Sequence, residues 1–379
     1  MPIDISQIPS PCFVLEESLL RRNLNILDRV QKESGARIIL ALKGFAMWSA
    51  ASLVREYLPG TTASSLHEAR LGFEEYGGEV HAYSPAYLDR EFDEVMGYCD
   101  HITFNTVGQW NRFKPKLEAY KKKIHPLIRI NPQYSEVETD LYNPCIPGSR
   151  LGITADQLGG NLPEGIEGLH FHTLCEKDSY TLERTLEHVE AKFGHLLREA
   201  KILNMGGGHA ITRKDYNVDH LIGLIKRIRE TYSIEVILEP GSAVGWETGY
   251  LLTTVEDIMD SQGIKVAIID ASISAHMPDC IEMPYKPIIW NATDPILGKP
   301  TYRFGGLTCL AGDYIGDYSF NQELKIGDKI IFNDMMHYTM VKTTTFNGVN
   351  LPNIGTWKED STFQLIKTFG YDAYRDRLS

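Results

Sequence analysis

The sequence predicts an α/β protein: a closed (β/α)8 TIM-type barrel of parallel strands, followed by a mainly antiparallel β module. Three observations predict it. Short β-rich runs alternate with amphipathic helical stretches through the first two-thirds of the 379-residue chain. No G-x-G-x-x-G follows the first run, which ends in Leu42-Lys43-Gly44-Phe45, whereas an open doubly wound sheet would usually carry that fingerprint. After residue 244 helical periodicity becomes scarce, and turns such as IGD and FNG separate strand-like runs.

The barrel strands are expected at Ala36–Leu42, Gly60–Ser64, Glu79–Tyr83, Asp100–Asn105, Ile124–Asn131, Ile166–His172, Lys201–Met205 and Ile234–Glu239. Between them, stretches such as LLRRNLNILDRVQKE and YTLERTLEHVEAKFGHLLREA place apolar residues at three- and four-residue spacing, which buries one helical face. Parallel strands need such crossovers, and eight can close on themselves. Residues 12–243 are expected to form the barrel, and 1–11 with 244–379 the β-rich domain. Lys265–Asp270, Lys329–Phe332 and Tyr338–Phe346 are expected among the strands of that domain, with Ile8–Leu15 pairing onto it. The span Pro132–Gly160 is the longest irregular connection, and loops of that length are often functional.

Lysine and arginine number 38 against 50 aspartates and glutamates, a net charge of −12. That balance argues against a nucleic-acid-binding protein, which usually carries a basic surface. No run approaches the ~20 apolar residues of a membrane span. The opening MPIDISQIPSPCFVLEES lacks a basic segment followed by an apolar one, so no secretory signal is expected. Cysteines stand at positions 12, 99, 145, 175, 280 and 309 without a C-x-x-C pair. They read as reduced thiols of a cytoplasmic protein, and no cysteine-built zinc site is expected.

In such a barrel the reactive groups sit at the C-terminal ends of the strands. Those ends hold Lys43, Ser64-Ser65, Asn105, Arg129 and Asn131, His170-Phe171-His172, Gly206-Gly207-Gly208 and Glu239-Pro240-Gly241. A lysine closing an apolar strand buries its stem; burial lowers the amine pKa, and a neutral amine can form a Schiff base. A lysine that merely snorkels to water is the plain alternative. Three consecutive glycines let backbone N–H groups approach a ligand, here where barrels bind phosphate; a flexible turn is the alternative. Glu239 could keep a ring nitrogen protonated, or join a structural ion pair. His170 and His172 share a strand face, which would also suit a metal-dependent hydrolase. The other barrel-strand histidines, His81, His101 and His125, fall early or midway in their strands and do not join that end. In the β module, Cys309 and Asp313 stand four residues apart in a glycine-containing loop, where a thiol and an acid could act together. A buried inert cysteine is the alternative. Tyr338 reads as a strand core residue.

Taken in order, ALKG, ASSLHEA, HFH, GGG, EPG, C-x-x-x-D and a late HYT resemble one family over nearly the whole chain. It is the fold-type III, alanine-racemase-like pyridoxal-phosphate decarboxylases, which include ornithine, diaminopimelate and carboxynorspermidine decarboxylases. LALKGFAMW, HFHTLCE and LTCLAGD are similar to the carboxynorspermidine branch. The resemblance implies pyridoxal 5'-phosphate as cofactor and no metal. Lys43 would carry the cofactor covalently, His172 would stack on its ring, and Glu239 would pair with the ring nitrogen. Gly206, Gly207, Gly208 and Gly241 would hold the phosphate, with Tyr338 assisting. The resemblance also implies a homodimer in which Cys309, the proton donor after decarboxylation, and Asp313 reach the neighbouring subunit's site.

The implied substrate is carboxynorspermidine, giving norspermidine, together with carboxyspermidine, giving spermidine. The alternatives are a diaminopimelate or other basic amino-acid decarboxylase or racemase of the same fold, and a non-catalytic cofactor-binding relative. Ser242 stands where ornithine and diaminopimelate enzymes commonly follow E-P-G with arginine, which in the latter helps recognise a second carboxylate. Its absence fits a substrate whose far end is an amine. Leu310 stands where ornithine decarboxylases usually place an acid, which weakens the ornithine reading. A cationic tail calls for acidic lining, and Asp313, Glu176, Asp279 and Glu282 are the candidates.

Overall fold

The computed structural model describes residues 4–379. The chain divides into two compact units, Asn23–Val244 and the residues up to Arg22 with Gly245–Ser379. The N-terminal division lies at Arg22/Asn23, not before residue 12 as expected, because strand β1 (Cys12–Glu16) pairs with strands of the second unit.

The first unit is the parallel barrel. Its strands are β2 (Arg37–Ile38), β3 (Leu40–Ala41), β4 (Gly60–Ala63), β5 (Glu79–Tyr83), β6 (His101–Phe104), β7 (His125–Arg129), β8 (Gly168–His170), β9 (Ile202–Asn204) and β10 (Glu235–Leu238). The first expected strand is thus two pieces interrupted at Ile39. One piece pairs with β10 and the other with β4, both parallel, so the sheet β2-β10-β9-β8-β7-β6-β5-β4-β3 returns to its starting segment. Strands covered on both faces are buried along their length, and all four residues of β4 and of β6 are buried.

The crossovers follow the expected spacing. In the helix Ser179–Leu197, Leu182, Leu186, Val189, Phe193 and Leu196 are fully buried, a stripe at three- and four-residue intervals. Asp178 caps that helix by accepting the Thr181 N–H at 2.8 Å. Capping also sets the entry to Val218–Tyr232, where the Asn217 side chain accepts the His220 N–H at 3.0 Å. Such caps start each helix a defined distance beyond its strand, leaving the strand end free for function.

The second unit is a curled, mainly antiparallel sheet. It contains β1, β11 (Gly249–Ser261), β12 (Ile264–Ile269), β13 (Ala292–Thr293), β14 (Thr301–Gly305), β15 (Tyr314–Phe320), β16 (Lys329–Asn333), β17 (Asn353–Trp357) and β18 (Phe363–Lys367). Their order is β13-β15-β14-β12-β11-β1-β17-β18, with β16 also on β11. Only β1 with β17 and β12 with β14 run parallel among the described pairs. The expected strand Tyr338–Phe346 does not form. Tyr338–Val341 is a single helical turn, and Asn347 at φ 55° with Gly348 at φ 72° turns the chain at the end of the run. The buried Thr339 hydroxyl is drawn instead onto Asp279, at 2.7 Å. Among the described residues, no helix is long and apolar enough to cross a membrane.

Two fully buried histidines, one in each unit, link stability to pH. Burial holds His209 and His276 at a pKa of about 4, against an ordinary value of 6.5; for His276 the Asp313 charge opposes that shift. Between pH 6.5 and 4 the unfolded chain binds protons that the folded chain refuses. Stability is therefore complete above 6.5 and falls as pH drops through that window, by up to about 1.4 kcal/mol per unit for each group. Thermal melts from pH 7.5 to 4.5 should show this decline, with a shallower slope in His276→Gln; an unchanged slope would reject the assignment.

Candidate active site

The site in the barrel is built at the C-terminal ends of its strands. Two glycines bring its opposite edges together. A Cβ on Gly44 would lie 2.7 Å from Gly241 Cα, so the LKG and EPG turns touch backbone to backbone. The Ala41 N–H donates to Pro240 O at 3.0 Å and secures the contact. Lys43 and Glu239, far apart in the chain, thereby come to adjoining strand ends.

Glu239 is the best-held charge of the site. Its Oε1 accepts from Asn204 Nδ2 at 2.7 Å, and its Oε2 lies 3.4 Å from His170 Nε2. Burial works to raise its pKa, but the His170 bond and charge, the His81 charge and the Asn204 bond prevail, and it stands at about 2. The carboxylate therefore stays ionised. His170 stacks on Tyr83 with centroids 5.5 Å apart, and the Arg129 guanidinium lies 4.5 Å from the Tyr83 ring. Tyr83 donates to Asn105 Oδ1 at 2.8 Å, which ties the layer to the neighbouring strand.

Lys43 stands among these groups. Burial of its amine, reinforced by the Arg129 charge, lowers its pKa; Glu239, Glu68 and Cys175 oppose the shift. Glu68 Oε2 accepts the Ser64 N–H at 2.6 Å, and burial raises its pKa against the pull of that bond and of Lys43. Lys43 is half-buried, and the burial felt by its amine favours the neutral form over a snorkelling cation.

The glycine triplet is shaped by close backbone packing. Gly206 and Gly208 have φ of 64° and 82°, and a Cβ on Gly208 would lie 1.9 Å from Leu174 O. The Gly206 N–H donates to Asn204 Oδ1 at 2.9 Å, and the Gly207 N–H to His172 Nδ1 at 2.8 Å. Among the described residues the N–H groups of Gly208 and Gly241 meet no acceptor, so two donors of the expected cradle remain available. His172 must be unprotonated at Nδ1 to accept from Gly207. Burial, with the charges of Lys43 and Arg129, holds its pKa well below the ordinary value. Gly207 thus engages Nδ1 of His172, and Glu239 engages Nε2 of His170. The grouping of Glu79, His81 and His101 lies at the starts or middles of β5 and β6, and Arg37 already pairs with Glu79 at 2.6 Å.

The remaining expected residues lie elsewhere. Glu176 is half-buried in the loop after β8, at φ 52°, and its carbonyl accepts from Arg213 at 3.1 Å. Tyr338, Cys309, Asp313, Asp279 and Glu282 belong to the sheet unit. Cys309 is exposed rather than a buried inert thiol. Tyr338 is half-buried in its helical turn and not in a strand. Glu282 pairs with Lys342. Asp279 is buried; its Oδ2 accepts from Tyr285 at 2.9 Å and Thr339 at 2.7 Å, while Oδ1 has no partner among the described residues. Asp313 departs from expectation. Its carboxylate is buried and filled by donors of its own chain, so it is not a free acid awaiting a substrate amine. Asn204, Tyr83 and Glu68 are site residues that pattern reading missed. Asn204 could have been found, since it ends its strand two residues before the triplet.

Within the barrel unit, a lysine whose amine is biased to its neutral form, an ionised buried carboxylate at an adjoining strand end and a glycine triplet define the site. The profile described as pyridoxal-dependent decarboxylase, C-terminal sheet domain, matches residues 13–336, and the chain belongs to this family of pyridoxal-dependent decarboxylases. It is 50% identical over 375 residues to the carboxyaminopropylagmatine decarboxylase of Synechocystis sp., covering 99% of this chain and 96% of that protein. It is 43% identical over 379 residues to the carboxynorspermidine/carboxyspermidine decarboxylase of Campylobacter jejuni, covering 97% and 98%. The crystal structure of carboxynorspermidine decarboxylase from Campylobacter jejuni, complexed with norspermidine, superposes with a TM-score of 0.91 at 42% identity, covering 98% of this chain and all of that one, 100%. Diaminopimelate decarboxylase from Helicobacter pylori shares the fold, with a TM-score of 0.81 at 16% identity, covering 99% and 98%.

Proposed function

We propose that this chain removes CO₂ from the α-amino-acid end of a carboxylated polyamine, carboxynorspermidine or carboxyspermidine, with pyridoxal 5'-phosphate as cofactor. The observation that carries the reading is the ionised Glu239 set at an adjoining strand end to a lysine whose amine burial has made easier to deprotonate. When bound, the cofactor supplies an electron sink for the pair left on the α carbon. Lys43 would hold the cofactor and exchange with the substrate amine. Glu239 would keep the ring nitrogen protonated, because a fixed anion favours the cationic ring. His172, which accepts the Gly207 N–H at Nδ1, would lie against the ring. The Gly208 and Gly241 N–H groups would meet the phosphate, with Gly206, Gly207 and Tyr338 completing its surroundings.

Loss of CO₂ must be balanced by one proton delivered to the α carbon. The Cys309 thiol is the proposed donor, and its exposure on a surface loop supports delivery into the site of a second subunit of a homodimer. Asp279, with its unpartnered buried oxygen, and Glu176 are the proposed acids for the cationic tail.

A second reading has its own support. The relative that is 50% identical is named for carboxyaminopropylagmatine, whose tail ends in a guanidinium instead of an amine. CO₂ release measured side by side on carboxynorspermidine, carboxyspermidine, carboxyaminopropylagmatine and diaminopimelate decides between them. Turnover of the first two supports the proposal; turnover confined to either of the others rejects it.

Gly208→Ala tests the cradle. Its Cβ has no room and its backbone is left-handed, so about 1–3 kcal/mol of stability should be lost. Titration with pyridoxal phosphate should show at least about tenfold weaker binding, the equivalent of 1.4 kcal/mol. Unchanged affinity in a folded variant would remove the triplet from the phosphate site.

A further inference from the structure

We propose that Asp313 and Asn347 are positioning residues for Cys309: together they grip the loop 306–313 from two sides and present its thiol in one place. The proposal rests on the reading of Cys309 as proton donor. A proton donor acts only when held within hydrogen-bond reach of the atom it serves. Yet Cys309 is exposed, in a loop joining β14 to β15 that carries Gly306 and Gly312. Such a segment loses much conformational entropy when it orders, so something must hold it.

The first grip is the Asp313 carboxylate. Ser272 Oγ donates to both of its oxygens at 3.0 Å, and the Ser274 N–H donates to Oδ1 at 2.9 Å. The Thr308 N–H and hydroxyl donate to Oδ2 at 3.0 and 2.6 Å. A carboxylate offers about four acceptor positions, and these donors fill them. Ser272 is itself fixed, because its oxygen caps the turn Ile273–His276 by accepting the Ala275 N–H at 3.0 Å. The backbone closes the same loop, with Gly306 N–H on Asp313 O at 2.8 Å and Asp313 N–H on Leu310 O at 3.0 Å. Position 306 must be glycine for this, since a Cβ there would lie 2.4 Å from Asp313 Oδ2.

The second grip is Asn347. Its Oδ1 accepts the Cys309 N–H at 2.8 Å, from a left-handed turn at φ 55°. Thr308 and Cys309 are consecutive, so adjacent N–H groups are tied to acceptors on two different segments. The peptide that carries the thiol is thereby fixed in orientation. Asp313 acts on the reaction through Cys309 and not by touching the substrate.

The test uses the full-length enzyme with three variants. Asn347→Gly keeps the left-handed backbone and deletes the acceptor; Asn347→Asp keeps the acceptor; Asp313→Asn replaces one accepting oxygen with a donor facing other donors. Two readouts are taken: kcat and KM on the loaded enzyme, and the iodoacetamide alkylation rate of Cys309 by mass spectrometry, with Cys145 and Cys175 as internal references. In Asn347→Gly and Asp313→Asn, kcat should fall by about tenfold or more with KM nearly unchanged. The Cys309 alkylation rate should shift severalfold while the reference thiols do not, and Asn347→Asp should restore both values. Folded variants with unchanged kcat and unchanged Cys309 alkylation would overturn the proposal, as would a rise in KM alone, which would make Asp313 a substrate ligand. Should Asp313→Asn fail to fold, Asn347→Gly carries the test. Full activity in Cys309→Ala would instead remove the proton-donor reading, and the alkylation rates would still decide whether the two residues position the thiol.

Discussion

Lys43→Ala should lower kcat by at least ~10³-fold on every substrate the wild type accepts, because no other amine of the barrel stands in its place. Burial of the amine and the Arg129 charge favour its neutral, nucleophilic form and outweigh the opposing charges of Glu239, Glu68 and Cys175. Borohydride reduction of cofactor-loaded wild type should leave a mass adduct on the peptide bearing Lys43, and none in the variant. The fold should survive, since the substitution relieves a buried amine and breaks no hydrogen bond of that group. A variant that keeps its activity, or an adduct on a different lysine, would remove Lys43 from the chemistry.

Glu239→Gln should lower kcat by about 10²–10³-fold with a much smaller change in KM, the size expected when a pre-oriented buried charge is neutralised. The amide can still accept from Asn204, so geometry is largely kept while the negative charge is lost. The pH profile sharpens the test. With its pKa depressed to about 2, against an ordinary 4.5, the Glu239 charge is fully present above pH 4.5 and is lost only as pH falls toward 2. Any acid limb of activity between pH 5 and 8 must therefore come from another group, and the same limb should persist in Glu239→Gln at its lower rate. A limb that vanishes in this variant would contradict the ionised state assigned here. Glu239→Asp, which keeps the charge but withdraws it by one methylene, should retain more activity than Glu239→Gln.

The strand-end placement of the candidate residues was legible in the sequence. Lys43, His172, the glycine triplet and Glu239 all follow strand ends, and the strand spacing is written in apolar runs and helical periodicity. What escaped reading depends on partners distant in sequence. Asn204 gains its meaning only when Glu239, 35 residues away, is folded against it. The filled state of Asp313 needs Ser272, 41 residues earlier, and the grip on Cys309 needs Asn347, 38 residues later. The expected strand from Tyr338 failed for a related reason: a buried hydroxyl and a left-handed asparagine outweighed local strand propensity.

By itself, then, the amino-acid order determined which segments of the barrel unit are strands and helices, that they alternate toward a closed ring, and which reactive side chains stand at one rim. Those properties are local: they follow from periodicity, turn chemistry and the position of a residue along its own strand. Only the tertiary structure decided how those side chains are charged and held. The break at Ile39 that closes the ring, the contact of Gly44 with Gly241, and the donors on Glu239 and Asp313 arise between segments far apart in the chain. Ionisation and orientation depend on such neighbours, because burial and hydrogen bonding act over a few ångströms of space and not along the sequence.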